Sequence, residues 1–284
     1  MIPILLYHKI SKFDISGTWV TPNQFDQEMQ YLYNQGYTTI MPDEIQKSED
    51  RRQRTEDRGQ RTEDRRQMTE DRKPKAESQK LLITFDDGYS SFYSIAFPTL
   101  LKYGFRATCF VVTGYIGKKS EWDVNFGKKD RHLDLMQIRE LKQYGFVIGS
   151  HTRTHPDLTK LSIPKIKQEL RDSKLELEDK LGEEVQYLSF PFGRYNKLIV
   201  NLAMETGYKL VFTSNPLMKE VLPPENYVIG RMGVYIIDQL PQFKAKLHKG
   251  VFQLIEARKA QVINSFSRGT WIWKTMNPFC KQNI

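Results

Sequence analysis

Eight short runs rich in β-branched and aromatic residues recur along this chain, and most neighbouring runs are separated by a stretch with amphipathic-helix spacing. The runs are Ile2 to His8, Tyr37 to Met41, Leu81 to Phe85, Ala107 to Thr113, Phe146 to Ser150, Tyr187 to Phe190, Leu210 to Thr213 and Val228 to Arg231. Between them Phe25, Met29 and Leu32 share a helical face. So do Ile138, Leu141 and Tyr144, the series Ile166, Leu170, Leu177 and Leu181, and the pair Leu198 and Leu202. Gly36, Gly104, Gly145, Gly182 and Gly207 each follow such a stretch, where a left-handed residue ends a helix. The alternation predicts an α/β fold, an irregular parallel (β/α) barrel of about seven strands, and 284 residues are enough to build one.

One segment breaks the pattern. Residues 49–75 read EDRRQRT, EDRGQRT, EDRRQMT, EDRKPK, a period of seven with no apolar position except Met68. A coiled coil of that period needs an apolar seam, so the segment is expected to be a mixed-charge surface insert. The expected organisation is a barrel over 1–240, interrupted by this insert, followed by a basic helix and tail over 241–284.

Charge is divided unevenly. Of the net +9, seven units fall in 241–284, where eight basic residues meet one acidic, while the barrel portion is close to neutral. A neutral body lacks the clustered cations that displace counterions from a polynucleotide, so nucleic acid is not an expected partner. The tail sets its charge beside Phe243, Leu247, Val251, Phe252, Leu254 and Ile255, and then beside Trp271, Trp273 and Phe279. That pattern fits either a last barrel helix or weak contact with a membrane surface. No apolar run is long enough to span a bilayer or serve as a signal-peptide core, which makes the cytoplasm the default compartment. Cys109 and Cys280 are too few and too far apart for a disulfide framework.

In a parallel barrel the chemistry sits where strands end. The first run ends in Tyr7-His8, the third in Asp86-Asp87-Gly88, the fifth in His151 with His155 four residues on, and the sixth in Pro191-Phe192-Gly193. Because Pro156 follows His155 directly, the histidine pair belongs to a loop or a first helical turn. One carboxylate and two imidazoles form a three-ligand set that leaves room for water on a borderline divalent ion such as zinc, and the adjacent carboxylate is then available as a base. His132 and His248 lie outside this pattern.

Three segments carry a family resemblance: Thr84-Phe85-Asp86-Asp87-Gly88-Tyr89, Ser150-His151-Thr152-Arg153-Thr154-His155-Pro156 and Phe190-Pro191-Phe192-Gly193-Arg194-Tyr195-Asn196. In order and spacing they resemble the leading motifs of the polysaccharide deacetylases, carbohydrate esterase family 4. The opening Ile4-Leu5-Leu6-Tyr7-His8-Lys9-Ile10 is similar to the Tyr-His branch that includes biofilm poly-N-acetylglucosamine deacetylases. The resemblance implies that Asp87, His151 and His155 hold the metal, that Asp86 is the catalytic base, and that the Phe192 amide beside Pro191 helps hold an oxyanion. It also implies removal of N-acetyl or O-acetyl groups from an amino-sugar glycan; Tyr89, Tyr115, Trp122 and Tyr195 are candidate rim aromatics for stacking on a sugar, and each could equally belong to the core. The chain departs from the family in two places. Ser189 stands where many members have an arginine two residues before the motif-three proline, and no Leu-x-His motif follows Val211, so His8 is implied as the catalytic acid rather than His248.

Two other functions share these features: hydrolysis of a small non-sugar C–N amide, and catalytically silent carbohydrate binding. Intact Asp86, Asp87, His151, His155 and His8 argue against the silent binder. Deleting residues 49–75 removes no motif residue and no apolar periodicity. A melting temperature within a few degrees of the parent, with hydrolysis retained, is the expected outcome, because surface loops accept length at small entropic cost.

Overall fold

The computed structural model describes residues 2–14, 18–45, 79–120, 130–216, 219–222, 226–248 and 251–266. The charged repeat, Trp122 and the segment 267–284 with Trp271, Trp273, Phe279 and Cys280 lie outside the described residues. In chain order the elements are β1 (Ile4–Tyr7), β2 (Lys9–Ile10), β3 (Trp19–Val20), α1 (Pro22–Asn34), β4 (Tyr37–Thr39), β5 (Gln79–Phe85), α2 (Phe97–Lys102) and β6 (Thr108–Val111). There follow α3 (Leu135–Gln143), β7 (Val147–Ser150), α4 (Ile163–Leu181), β8 (Tyr187–Ser189), α5 (Lys197–Glu205), β9 (Leu210–Thr213), β10 (Lys219–Leu222), β11 (Asn226–Gly230), β12 (Met232–Gly233), α6 (Leu240–Leu247) and α7 (Val251–Phe266).

Eight strands run parallel in the order β11, β9, β8, β7, β6, β5, β1, β12, with β4 parallel beside β5 and β10 antiparallel on β11. The expected barrel is present, and the way it nearly closes is particular. β11 and β12 are consecutive in the chain with only Arg231 between them, yet β11 pairs with β9 from Tyr227 opposite Leu210 onward, while β12 pairs with β1 at Leu5 and Leu6. One chain segment therefore bridges both edges of the sheet. Without it each edge would present unpaired backbone groups.

Strand alternation sorts the side chains into two layers. Ile4, Leu82, Phe110, Tyr187, Leu210, Phe212 and Ile229 form one cluster, an apolar plug inside the barrel. Their neighbours Leu5, Ile83, Cys109, Leu188, Val211 and Val228 face outward, against Phe25, Met29 and Leu32 of α1, Ile138 and Leu141 of α3, and Ile166, Leu170 and Leu177 of α4. Cys109 is a buried small hydrophobe with a free thiol.

Two details of the helical pattern differ from expectation. Tyr144 follows α3 as its cap and is 47% exposed, because the helix ends at Gln143 before the tyrosine can come back under it. Leu198 is 44% exposed: Asn196 caps α5 by accepting from the Ile199 amide, and that start turns Ile199, Val200, Leu202 and Ala203 inward. All five cap glycines adopt left-handed φ, between 70° and 96°.

At the other end of the chain, Phe243 and Leu247 of α6 and Ala257 of α7 join the main core, while Val251, Leu254 and Ile255 are exposed. Buried Lys246 pairs with Asp238 at 3.2 Å and Glu256 at 2.9 Å, linking α6 to α7. The apolar stripe of the basic segment is thus divided between core and solvent, so Phe243 and Leu247 cannot face a membrane. Among the described residues no helix is long and apolar enough to cross a bilayer.

A Cβ at Gly149 of β7 would fall 2.5 Å from the Phe110 ring and 3.0 Å from the Tyr187 carbonyl oxygen. Glycine here leaves room for the Phe110 ring of the plug beside the strand. Gly149→Ala is expected to lower stability by about 1–3 kcal/mol through overpacking, read from urea unfolding midpoints.

Candidate active site

Thr84 and Asp86 continue the inward series of Leu82 along β5, and beyond the strand end the backbone turns sharply. Asp87 has φ 68° and Gly88 φ 65°, and a Cβ on Gly88 would meet the Val111 side chain at 2.8 Å. The turn points the two adjacent carboxylates in different directions, with Asp86 inside the barrel and Asp87 at its mouth. His151 follows β7 on the inward side, and its amide donates to the Val111 carbonyl at 2.8 Å. His155 returns to the same spot through a loop in which Thr152 and His155 have φ 65° and 59°. Among the described residues, Asp87, Thr152, His155 and Phe192 are the only non-glycine residues with left-handed φ, and all four lie in the three motifs. Each such residue costs about 1–3 kcal/mol and persists only where its surroundings enforce it.

Ligand atoms of Asp87, His151 and His155 lie within 4.8 Å of one another. Asp87 Oδ1 is 3.4 Å from His151 Nε2 and 3.3 Å from His155 Nε2. Two ligands about 2.1 Å from a tetrahedral ion stand about 3.4 Å apart, so the spacing fits three donors sharing one cation. The electrostatics agree. Burial opposes charge on His151, but Asp86 and Asp87 hold its imidazole above the ordinary range, so a positive charge is favoured here. Burial alone would raise the Asp87 carboxyl, yet the hydrogen bond with His151 and the charges of His155 and His8 hold it well below the carboxylate range. The Ser189 carbonyl lies 2.8 Å from His151 Nδ1, which leaves Nε2 turned toward Asp87.

Asp86 is held apart by a residue that the motifs do not contain. Buried Arg231, at the joint between β11 and β12, donates from Nη1 to Asp86 Oδ1 at 2.8 Å and from Nη2 to Oδ2 at 2.7 Å. It also donates to Ser189 Oγ at 2.8 Å, Thr84 Oγ1 at 3.3 Å and the Thr213 carbonyl at 3.3 Å, with its guanidinium near the Phe110 and Phe212 rings. Ser189 Oγ donates in turn to Asp86 Oδ2 at 3.0 Å. Burial raises the Asp86 carboxyl, but Arg231 and His151 more than offset it and keep the group below its ordinary value. Arg231 therefore partners the carboxylate from a different strand, and the serine at the motif-three position leaves it the space. The sequence held one signal for this: an arginine set in an otherwise apolar strand run.

His8 is half-buried at the end of β1, and its Nδ1 has no hydrogen-bond partner among the described residues. Burial holds its imidazole below the usual range, with Asp87 and Asp86 pulling the other way. Phe192 packs its ring 4.8 Å from that of His155, and buried Pro191 begins its turn. Tyr89, a candidate for either a stacking face or the core, is buried at 3% exposed, with its ring 5.0 Å from that of His132 and Lys9 Nζ 5.3 Å from its centre. Tyr115 and Tyr195 are half-buried, and Tyr195 stacks on Phe190. His132 has a part that the motif pattern did not show: its Nδ1 lies 2.8 Å from the Asp87 carbonyl, bracing the turn from the 130–133 segment. His248 is exposed at the end of α6, away from these groups.

Fold and site together define a parallel barrel with a candidate one-carboxylate, two-imidazole metal centre at its strand ends. Residues 73–211 match the family described as polysaccharide deacetylase. YxkH of Bacillus subtilis, a protein assigned to the polysaccharide deacetylases, is 33% identical over 218 residues, covering 76% of this chain and 65% of its own length. The poly-beta-1,6-N-acetyl-D-glucosamine N-deacetylase of Staphylococcus aureus is 29% identical over 164 residues, 53% of this chain and 52% of its own. Among solved structures, the Streptococcus pyogenes deacetylase PplD in complex with acetate matches with a TM-score of 0.66 at 26% identity, covering 87% of this chain and 98% of that one. The chain belongs to the polysaccharide deacetylase family, although it spans less than two thirds of the length of these curated relatives.

Arg231→Met should leave Asp86 buried without its countercharge, a loss of about 3–5 kcal/mol at pH 7. Because the folded-state pKa of Asp86 is depressed, the pair's contribution is fully present above the unfolded carboxylate value of about 3.9 and is lost as pH falls through the folded one. The gap between parent and variant in urea titrations should therefore be widest near neutrality and narrow toward acid pH.

Proposed function

We propose that this chain is a metal-dependent hydrolase that removes N-acetyl groups from an N-acetylglucosamine-containing glycan and releases acetate. The observation that carries the reading is the division of labour between two adjacent carboxylates: Asp87 faces both imidazoles at 3.3–3.4 Å, while Asp86, its Oδ2 4.0 Å from His151 Nε2, is clamped by Arg231. A site built only to hold an ion has no need to orient a second carboxylate beside it. The names of the relatives, a poly-N-acetylglucosamine deacetylase among them, support the substrate class.

Asp87, His151 and His155 would hold the ion, zinc being the best match to one oxygen and two nitrogen donors. Bound there, it would supply Lewis acidity to the acetamide carbonyl and ease the ionisation of water. Asp86 takes the proton from that water, and the two Arg231 contacts fix the direction in which it can do so. The Phe192 amide, presented by a left-handed turn against His155, donates toward the oxygen that gains charge in the tetrahedral stage. His8 gives the departing amine its proton, without which the amine is too basic to leave. Hydrolysis of a small cyclic or formyl amide uses the same groups, and substrate comparison separates the two readings.

The test is acetate release from N-acetylglucosamine oligomers, with and without added zinc, set against acetylated xylan and small amides. Asp87→Ala should lose both bound metal and activity. Asp86→Asn should keep the metal and lose the rate, and a rate within a few-fold of the parent would rule out Asp86 as the base. His8→Ala is expected to slow turnover by about 10²–10⁴ with metal content intact.

A further inference from the structure

His151 and His155 can meet Asp87 only if the loop between them takes an unfavourable shape. Pro156 disfavours a right-handed helical turn at His155, and the return is made by two left-handed residues, one of them the β-branched Thr152. Contacts within the motif account for part of the restraint: the His155 amide donates to Thr152 Oγ1 at 3.2 Å, and the Thr152 amide to Ser150 Oγ at 3.2 Å. These bonds are long and do not touch the centre of the loop.

The centre is held from α4. Glu169 Oε2 accepts from the amides of Arg153 and Thr154, both at 2.9 Å, and Oε1 accepts from Thr154 Oγ1 at 2.6 Å. Two helical turns further on, Glu176 accepts from Arg153 Nε at 2.7 Å and from Thr113 Oγ1 at 2.6 Å. The opposite side of the loop receives the Thr113 and Gly114 amides on the carbonyls of Thr152 and Arg153, at 3.2 and 2.9 Å. One carboxylate thus collects the amides of Arg153 and Thr154, in charge-assisted bonds to the middle of the His-x-x-x-His loop.

We propose that Glu169 is a positioning residue for the Asp87, His151 and His155 centre, holding the 151–155 loop in the turn that aims both Nε2 atoms at Asp87 Oδ1. The inference rests on the metal-site reading above. Outer groups that orient ligands typically change metal affinity by roughly 10–100-fold, and an effect of that size is expected for Glu169→Ala. Glu169→Gln keeps one acceptor oxygen but places an NH2 against the remaining donors, so its affinity should fall between parent and alanine variant.

The experiment measures zinc affinity of the full chain by competition with a chromogenic chelator, for the parent, Glu169→Ala, Glu169→Gln and His155→Ala. Amide hydrogen exchange of the metal-free proteins is followed alongside. The expected result is graded zinc loss at position 169, with faster exchange confined to Arg153, Thr154 and His155. Should the alanine variant fail to fold, the glutamine variant decides. Affinity within threefold of the parent in the folded 169 variants would overturn the clamp, as would faster exchange spread through β5 to β7, which marks a general stability role. Zinc binding that ignores His155→Ala would overturn the metal-site reading itself, and this inference with it.

Discussion

A guanidinium buried inside a barrel must have nearly all its donors satisfied, and Arg231 meets that condition through Asp86, Thr84, Ser189 and Thr213. The residue stands where the last strand leaves one neighbour and joins the other, so it fastens β11 and β12 to β5, β8 and β9 at the point of closure. Below it lies the apolar plug of Phe110, Phe212, Leu210 and Ile229; above it lie the carboxylates and imidazoles. A buried ion pair of this kind adds little over a well-packed apolar substitute, but losing one partner leaves a charge in a low-dielectric interior. That asymmetry makes the pair a means of specifying where Asp86 points.

The rim shows the complementary arrangement, in which backbone strain is held by hydrogen bonds. Asp87, Thr152, His155 and Phe192 occupy conformations that cost about 1–3 kcal/mol each, and they fall in three segments around the same centre, Thr152 and His155 sharing one loop. The Asp87 turn is braced by the His132 imidazole on its carbonyl, and the histidine loop by the carboxylate of Glu169. These supports come from segments well removed from the motifs in sequence. They explain how Asp87, Thr152 and His155 can coexist around one group of ligands without relaxing into ordinary turns.

Much of this was legible in the residue order. Each of the eight apolar runs overlaps a strand, because the β-branched and aromatic content acts over only a few residues. The motif residues Asp86, Asp87, His151 and His155 converge because strand ends share one face of a parallel barrel, a rule that needs no detailed coordinates. Burial of individual side chains was less legible. Tyr89 could be read as either a rim aromatic or core, and only its cover by His132 and Lys9 decides for burial; Leu198 reads as part of an apolar stripe yet faces solvent because the cap at Asn196 sets the helix phase.

What the sequence determined by itself, then, was the alternation of strand and helix and the set of chemical groups delivered to the barrel mouth, since both follow from local spacing and from the polarity of parallel strands. Only the tertiary structure decided which group partners which. Ser189 stands at the position where a family arginine is expected, and nothing near it in the chain names a replacement. Arg231 and Asp86 are 145 positions apart and meet because the final strand returns beside the first. The pairing of distant residues depends on how the sheet closes, and closure is a property of all the strands together that no short stretch of residues encodes.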